Sequence, residues 1–381
     1  MTGAGAPPDR GRHEVIVAGG GPAGASAAIT LARAGRSVLL ADAGSGPPAI
    51  GEALPAAAGR LLVDLGVAEH VPGPGHLPCH ATLSAWGSAR PATVSGIADP
   101  YGSGRHLDRA LFDARLREGA RAAGAEVAEH TRVGVPSRRP DGRWSVPLHR
   151  GDRHEVAVCD RLVDATGRRA AIATGIGGAR RRTRDALVAL HVTLPDVPVR
   201  YTDASTLVES APDGWWYTAL VPGNRILIVY FTDADSPTHG PGRDVAFRAH
   251  LAETTHTAAR VAAIPFPHDP APRRAPAHSA HLDRVVGDGW IVVGDAAVAF
   301  DPLSSQGILT ALYTGLTAGE AIDASLAGHP GALDAYHDRI TTVLDAYHRN
   351  HHDAYAAEQR WPDRPFWRRR HQRAPLSAIV D

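Results

Sequence analysis

The stretch Glu14-Val-Ile-Val-Ala-Gly19-Gly20-Gly21-Pro22-Ala23-Gly24 decides the fold. A short apolar run that ends in glycines, followed by the helical pattern of Ala25 to Ala34, predicts a strand, a tight turn and a helix. Gly19 permits the turn, Gly21 lets the backbone approach a pyrophosphate, and Gly24 lets the helix pack closely on the strand. Because a helix N-terminus attracts anions, the sequence predicts a dinucleotide site here.

A second apolar run, Ser37 to Ala41, ends at Asp42. An acidic residue about twenty residues after the glycines can accept hydrogen bonds from both ribose hydroxyls of the nucleotide. The turn and this acid are common to NAD and FAD sites, so they do not by themselves identify the cofactor.

A similar turn is predicted near the other end of the chain. The buried run Trp290 to Gly294 leads into Asp295, then into the loop Phe300-Asp-Pro-Leu-Ser-Ser-Gln-Gly307, and then into a helix from Ile308 to about Ala327. Asp295 is placed to hydrogen-bond a ribityl hydroxyl, and the amides entering the helix face the pyrimidine end of a flavin, whose reduced form is negatively charged. NAD needs no second contact of this kind, so the predicted cofactor is FAD.

Two candidate cofactor contacts lie between these turns. The segment Gly51-Glu52-Ala53-Leu54-Pro55 opens a helical pattern that continues to Val67. Asp108 is a predicted N-cap with Arg109 in the first turn of its helix, where the arginine either reaches the flavin phosphates or lies exposed to solvent.

The remaining pattern is mostly strands. A small antiparallel group is predicted from Glu126 to Ala128, Trp144 to Leu148 and Glu155 to Val158. A substrate layer is predicted from about Thr183 to His278, with strands at Leu187 to Leu194, Trp215 to Leu220 and Ile226 to Phe231 and a helix near Ala246 to Ala263. Its Gly214-Trp-Trp-Tyr217 run could line a pocket for a flat aromatic substrate, although strand aromatics are packing residues at least as often.

Together the glycine turn, Gly51 to Pro55, Asp164-Ala-Thr-Gly167, Gly214 to Tyr217 and the Gly294 to Gly307 region resemble one superfamily. It is the glutathione-reductase type, which includes p-hydroxybenzoate-type monooxygenases, geranylgeranyl reductases and flavin-dependent tryptophan halogenases. The segment Glu358 to Trp367 is similar to the tails of flavoproteins that oxidise a peptidyl tryptophan while building quinone cofactors.

The resemblance implies an α/β fold: a Rossmann-like FAD-binding domain, an inserted substrate domain built on an antiparallel sheet, and C-terminal helices. The expected boundaries are a disordered tail at 1–12, a discontinuous FAD-binding domain at 13–75, 102–182 and 279–330, a substrate domain at 76–101 and 183–278, and a helical segment at 331–381.

The expected activity is that of an FAD-dependent monooxygenase that hydroxylates an aromatic ring, such as an indole or a peptidyl tryptophan, through a flavin hydroperoxide. The alternatives are an FAD-dependent reductase or dehydrogenase, a halogenase-like flavoprotein without halogenating activity, and a flavoprotein that has lost turnover and serves as a binding partner. Halogenases depend on a lysine, and this chain contains none. The Asp-Gly pair that helps related enzymes bind NADPH is replaced by Asp164 to Gly167, so reduced flavin is expected either from NAD(P)H directly or from a partner flavin reductase.

No catalytic side chain is assigned, because the flavin itself carries out the oxygen chemistry. The residues expected around the substrate and the flavin ring are Trp215, Trp216, Tyr217, Phe300, Pro302, Ser304, Ser305 and Gln306. The residues expected to contact FAD are Gly19, Gly21, Pro22, Ala23, Gly24, Asp42, Glu52, Arg109, Gly167, Gly294, Asp295, Pro302, Gly307 and Ile308.

Composition argues against several other classes. The formal net charge is zero with acids and bases interspersed, so no nucleic-acid footprint is predicted. No apolar run approaches the ~20 residues of a membrane span, and no export signal is recognisable, so the expected location is the cytoplasm.

The arginine runs at 180–182 and 368–370 are expected on solvated surfaces. His348, His351 and His352 lie at helical spacing, but only Asp345 could join them, so no metal site is predicted.

Overall fold

The structure is a computed structural model that describes residues 9–44, 50–96, 99–195, 197, 204–236, 243–266 and 272–372. Its strands, in chain order, are β1 (Asp9–Ala18), β2 (Val38–Ala41), β3 (Ala53–Leu54), β4 (Leu77–Cys79), β5 (Ala81–Ala85), β6 (Ala92–Ser95), β7 (Gly104–His106), β8 (Glu126–Ala128), β9 (Arg132–Val133), β10 (Ser137–Arg138), β11 (Trp144–Arg150), β12 (Arg153–Asp164), β13 (Arg181–Thr183), β14 (Leu187–Leu194), β15 (Thr206–Ala211), β16 (Gly214–Val221), β17 (Arg225–Asp233), β18 (Arg273–Pro276), β19 (Ala280–Leu282), β20 (Val286–Gly287), β21 (Trp290–Val292) and β22 (Val298–Ala299). Its α-helices are α1 (Pro22–Arg33), α2 (Ala58–Asp64), α3 (Arg109–Ala122), α4 (Ala171–Ile176), α5 (Arg243–Ala252), α6 (His256–Val261), α7 (Gly307–Leu326), α8 (Ala332–Ala356) and α9 (Pro365–His371).

A parallel sheet contains the first glycine turn. β1 lies at its centre, with β2 on one side and β12 on the other, and β8 and β21 extend it outward. Helix α1 packs on α7, and the approach is close because an added Cβ at Gly315 would come 2.1 Å from the Ala23 carbonyl oxygen. Parallel strands joined by covering helices form the Rossmann-like layer that the sequence predicts.

Two boundaries of this layer differ from the sequence prediction. Residues 9–12, assigned to a disordered tail, begin β1, and residues 1–8 lie outside the described part of the chain. The assignment of Glu126 to Ala128 to the antiparallel group is wrong, because these residues form β8 and pair in parallel with β2. A three-residue strand pattern fits either kind of neighbour, and the crossover through α3 places this segment beside β2.

A small sheet of β3, β7 and β4 replaces part of the helix predicted from Gly51 to Val67. Ala53 pairs with His106, and the Glu52 carbonyl accepts a hydrogen bond from the Leu107 amide at 2.8 Å. The helical pattern begins only at Ala58. The backbone at Glu52 and Ala53 is therefore hydrogen-bonded to β7 and to the residue that follows it.

The largest antiparallel sheet has the strand order β18-β14-β17-β16-β15-β5-β6. All its pairs are antiparallel except β15 with β5, which is parallel. Strand β15 was not predicted, and the single helix predicted near Ala246 to Ala263 is divided into α5 and α6. These two helices cover one face of the sheet, whereas the other face turns toward the Rossmann-like layer.

The C-terminal helices α8 and α9 pack against this arrangement, and residues 373–381 lie outside the described part of the chain. The expectation of a solvated arginine run at 368–370 is wrong for one of its members, Arg370. Arg370 is buried and donates to Asp233 Oδ1 at 2.7 Å, and Arg369 donates to Asp233 Oδ2 at 2.9 Å. Within the run at 180–182, Arg181 is a half-buried residue of β13 rather than fully solvated.

None of the described helices combines the length and the apolar character needed to cross a lipid bilayer.

Candidate functional site

The glycines of the first turn divide into two that pack and one that faces open space. Gly19 has a φ of +113°, and an added Cβ there would lie 2.2 Å from the Ala165 oxygen. At Gly24 the same atom would lie 1.9 Å from the Gly19 oxygen. At Gly21, by contrast, nothing lies within 4 Å of an added Cβ. This is the arrangement expected where packing fixes the turn and a ligand approaches its middle.

Two helix N-termini point at the same space. Helix α1 begins after Gly21 and α7 after Gln306, and neither has a side-chain cap. Uncapped N-termini leave backbone N–H groups and a partial positive charge available to an anion. Gly307 also has open space where its Cβ would be. The two termini are suited to the two negatively charged parts of a flavin dinucleotide, the pyrophosphate and the reduced ring.

A cavity of about 410 Å³ lies between these termini and the large sheet. Of the residues predicted to contact the cofactor, it is lined by Gly21, Pro22, Ala23, Gly24, Glu52, Arg109, Gly167, Asp295, Pro302, Gly307 and Ile308. Gly19, Asp42 and Gly294 lie outside this lining. Of the residues predicted around the substrate, it is lined by Trp215, Tyr217, Phe300, Pro302, Ser305 and Gln306, but not by Trp216 or Ser304.

Asp42 lies at the end of β2, beside the first turn. Its Oδ1 accepts a hydrogen bond from the Gly20 amide at 3.1 Å, and its Oδ2 lies 3.9 Å from an Arg117 nitrogen. Its side chain keeps partial access to solvent. This carboxylate can therefore meet the nucleotide only beyond the main cavity.

Arg109 reaches the cavity from the first turn of α3, where Asp108 caps the helix through the Leu111 amide at 3.0 Å. Its guanidinium forms an ion pair with Asp113 at 3.1 Å and donates to the Gly51 carbonyl at 3.2 Å. These contacts hold the arginine beside the cavity, so the solvent-exposed alternative does not describe it.

The second turn is fixed by packing and by arginines. Gly294 has a φ of +59°, and an added Cβ would come 2.7 Å from the Ala23 Cβ. Asp295 lines the cavity, with its Oδ2 3.5 Å from Arg168 Nε, while Arg181 donates to the Asp295 carbonyl at 2.7 Å. The Asp295 side chain therefore lies at the cavity wall beside Arg168, while its backbone is anchored by Arg181.

The loop after this turn is held by a contact that sequence reasoning missed. Asp301 is buried, and its carboxylate accepts hydrogen bonds from the Leu303 amide at 2.9 Å, Tyr355 Oη at 2.8 Å and His351 Nε2 at 3.2 Å. Tyr347 Oη accepts from the Asp301 amide at 2.9 Å. Although burial opposes it, the hydrogen bond and charge of His351 lower the pKa of Asp301 below its usual value.

Tyr347, His351 and Tyr355 recur every four residues on α8, so one helix face supports the cavity loop. That spacing is visible in the sequence and could have marked the face as buried. In addition, the Tyr347 ring stacks on Phe300 with centroids 4.1 Å apart. Among the described residues, no cluster of three or more histidine, cysteine, aspartate or glutamate side chains could hold a metal ion.

The floor of the cavity is one face of the large sheet. Trp215 is buried against Phe231, with ring centroids 3.9 Å apart, and it donates to Tyr355 Oη at 3.1 Å. The prediction that Trp216 lines the pocket is wrong. Because neighbouring residues in a strand face opposite sides, Trp216 packs on the far face with Tyr230 at 4.6 Å and Phe247 at 5.0 Å. Ser304 is directed to its own loop, where it donates to the Asp301 carbonyl.

Glu52 and Tyr217 form the polar part of the cavity wall. Glu52 is 5 % exposed, and its Oε2 accepts from the Gly51 amide at 3.2 Å. Burial raises the pKa of Glu52, and it raises the pKa of Tyr217 well above the ordinary value. The Tyr217 hydroxyl and the Glu52 carboxyl group interact with each other as hydrogen-bond partners, although the contact lies outside good hydrogen-bond geometry for Tyr217 Oη and Glu52 Oε1.

The chain matches the family described as "FAD binding domain" over residues 12–351. It belongs to this FAD-binding family. It is also 30% identical over 365 residues to the FAD-dependent oxidoreductase LodB of Marinomonas mediterranea, a match that covers 94% of this chain and 97% of that protein. This member of the FAD-binding family is therefore an FAD-dependent oxidoreductase, and FAD is its cofactor.

Solved structures show the same architecture. The peptidyl tryptophan dihydroxylase QhpG, described as essential for tryptophylquinone cofactor biogenesis, matches with a TM-score of 0.79 and 26% identity, over 96% of this chain and 80% of that one. The myxobacterial chondrochloren halogenase CndH matches with a TM-score of 0.86 over 97% of this chain and 88% of that one. At 22% identity the likeness to CndH shows the fold alone.

Proposed function

We propose that this protein is an FAD-dependent monooxygenase that hydroxylates an aromatic ring, with an indole or the side chain of a peptidyl tryptophan as the candidate substrate. One observation carries the proposal: the same cavity joins two uncapped helix N-termini to an aromatic sheet face. A flavin ring held by the termini would lie directly against a flat apolar surface. Similarity to QhpG, which acts on a peptidyl tryptophan, supports the choice of ring.

The cofactor residues are assigned by what they offer. Gly21 and Arg109 would hold the pyrophosphate, Asp42 the adenosine ribose, Asp295 a ribityl hydroxyl, and the α7 N-terminus the pyrimidine end of the ring. Bound reduced FAD supplies the activation of oxygen. The chain's own residues orient the substrate and keep water out, which agrees with the apolar floor and the buried loop around Asp301.

The pyrophosphate assignment can be tested with two glycines that both have open space at Cβ. Gly21→Leu should abolish FAD retention, since its side chain would fill the space assigned to the phosphates. Gly59→Leu, in α2 and away from the cavity, should leave retention unchanged. The measurement is FAD recovered from the purified folded protein. Normal retention in Gly21→Leu would show that the cofactor does not pass this turn.

The source of electrons is the second element of the proposal. The chain has no second dinucleotide fingerprint of the Gly19–Gly24 type and lacks the Asp-Gly pair of related NADPH-using enzymes, so a partner flavin reductase should reduce the flavin faster than NAD(P)H alone. Anaerobic stopped-flow spectroscopy measures this directly. Rapid bleaching by NADPH with substrate and without a partner would show direct reduction.

The deciding experiment is a single turnover. FAD-loaded protein is reduced anaerobically and then mixed with oxygen and either indole or a tryptophan-containing peptide. Mass spectrometry should show a product that has gained one oxygen atom. A product that has lost or gained hydrogen without oxygen would instead establish the reductase or dehydrogenase alternative. Chloride in the buffer should not be incorporated, because the chain has no lysine to deliver the oxidant.

A further inference from the structure

The polar end of the cavity is built from two different sheets. Glu52 reaches it from the residue before β3, and Tyr217 reaches it from β16 in the large sheet. Behind Tyr217, the Thr206 hydroxyl lies 2.9 Å from His106 Nε2 and 3.6 Å from Cys79 Sγ. A layer of polar side chains therefore lies buried between the small sheet and the large one.

Several polar atoms in this layer are poorly hydrogen-bonded, although Glu52 and Tyr217 face each other closely enough to interact. Glu52 Oε1, Tyr217 Oη and His106 Nδ1 are all buried, and none meets hydrogen-bond geometry with another described residue. A buried polar atom that makes no hydrogen bond costs roughly 1–3 kcal/mol, so folded proteins rarely leave several in one place without a reason. Two of the three, on Glu52 and Tyr217, belong to residues that line the cavity.

The surroundings define what could satisfy them. The neighbouring floor is apolar, with Leu227, Val229 and Phe231 among its lining residues. Arg109 does not neutralise Glu52 by contact, because its guanidinium is held by Asp113 and the Gly51 carbonyl. A fitting ligand is therefore flat and apolar over most of its area, with one hydrogen-bond donor at its edge for the Glu52 carboxyl oxygen.

We propose that Glu52 and Tyr217 form the hydrogen-bonding end of the substrate site and select aromatic rings that carry an N–H or O–H group. The choice of an aromatic ligand rests on the proposed function. The inference changes the role of Glu52, which the sequence places among the cofactor contacts. Thr206, which interacts with both the Tyr217 hydroxyl and His106, serves as a positioning residue that keeps the Tyr217 hydroxyl at the cavity wall.

The test uses oxidised, FAD-loaded protein without reductant, so that binding is measured apart from oxygenation. Indole and benzofuran are titrated as probes of nearly equal shape, of which only indole has a donor, and the flavin absorbance reports binding. Wild type should bind indole about tenfold more tightly than benzofuran, as expected for one hydrogen bond to a buried carboxyl oxygen. Glu52→Leu should bind both rings equally.

Matched variants separate the hydrogen bond from a general disturbance. Glu52→Gln keeps an acceptor oxygen and should restore part of the preference for indole, and it also serves if the leucine variant fails to fold. Tyr217→Phe should reduce the preference more weakly. Glu118→Gln, on an exposed part of α3, should leave it unchanged.

Three results would overturn the inference: an unchanged preference in Glu52→Leu, no binding of either ring to wild type, or loss of FAD from Glu52→Gln. The last would return Glu52 to the cofactor contacts. Failure of the proposed function looks different, because the preference for indole would remain while the single-turnover experiment gave no oxygenated product.

Discussion

Two buried carboxylic acids line the same cavity in opposite states. Asp301 is 1 % exposed and accepts hydrogen bonds from an amide, a tyrosine and a histidine, whereas Glu52 is 5 % exposed and accepts one bond from the neighbouring amide of Gly51. Burial acts on both. Only Asp301 has partners strong enough to lower its pKa in spite of burial, while the pKa of Glu52 is raised.

The difference separates a structural acid from one that is available to a ligand. A fully paired carboxylate fixes its loop and has little remaining capacity to accept a substrate donor. A carboxyl group with an unpaired oxygen in an apolar wall can change its protonation state and its partner. Sites in which neighbouring acids are shifted in opposite directions are typical of enzymes that assign them different roles.

The largest expected effect comes from removing the Asp301 carboxylate, which anchors the cavity loop to α8 through Tyr355 and His351. Asp301→Ala removes the acceptor for Tyr355 and His351 and leaves their polar atoms buried, so it should lower the free energy of unfolding by roughly 3–5 kcal/mol. Chemical denaturation at a fixed excess of FAD measures this loss. Asp301→Asn keeps one acceptor oxygen and should lose clearly less. Equal losses in the two variants would show that the hydrogen bonds do not carry the anchor.

The next largest effect on stability is expected at Tyr355, which links Asp301 to Trp215 in the cavity floor. Tyr355→Phe removes the donor to Asp301 and also the acceptor of Trp215 Nε1. Two hydrogen bonds are lost and the Trp215 N–H is left unpaired, so the cost should be about 2 kcal/mol. The same denaturation experiment measures it. A change below about 0.5 kcal/mol would mean that water replaces the hydroxyl and that the network is not closed.

The two acids differ in how far sequence could anticipate them. The glycine turns were predictable because their function is encoded in consecutive residues, and the structure gives Gly19, Gly21 and Gly24 the expected surroundings. The support of Asp301 joins it to Tyr355, 54 positions along the chain, which no local pattern reveals. The helical spacing of Tyr347, His351 and Tyr355 indicates a shared face but not its neighbour.

The sheet face that forms the cavity floor shows the same limit of prediction from sequence. Alternation places Trp215 and Trp216 on opposite faces of the sheet, yet both faces are buried, so hydrophobicity does not indicate which one meets the cavity. That information comes from α5 and α6, which cover one face. The sequence predicts Glu52 as a cofactor contact because a loop in this place usually runs over the cofactor face of the fold. Its unpaired oxygen becomes visible only when β3 and the large sheet are brought together.

A pH series should give opposite signs for the two acids. The folded pKa of Glu52 is raised, so wild type loses stability relative to Glu52→Gln as pH rises from about 4.3 through the folded pKa, and the difference is constant above it. Glu52→Gln should therefore be the more stable protein at neutral pH. The folded pKa of Asp301 is lowered, so its contribution to the free energy of unfolding is present above about pH 3.9 and is lost on acidification.

Unfolding free energies at several pH values, with Asp301→Asn alongside, measure both trends. In acid the deficit of Asp301→Asn should shrink, and the advantage of Glu52→Gln should shrink as well. If Glu52→Gln is less stable than wild type at neutral pH, the Glu52 carboxylate has a partner that compensates its burial, and the contrast between the two acids is removed.

The smallest expected effect on stability comes from removing the Tyr217 hydroxyl. Tyr217→Phe removes a buried hydroxyl that interacts with Glu52 outside good hydrogen-bond geometry, so the free energy of unfolding should fall by only about 0.5 kcal/mol, the value of a weak hydrogen bond. The same chemical change at Tyr355 should cost several times more, which makes the two variants controls for each other. Since the Tyr217 hydroxyl opposes the upward shift of the Glu52 pKa, its removal should also move the Glu52 transition to higher pH. A loss at Tyr217 as large as that at Tyr355 would mean that its hydroxyl already makes a strong hydrogen bond, and the polar end of the cavity would then be closed to a substrate.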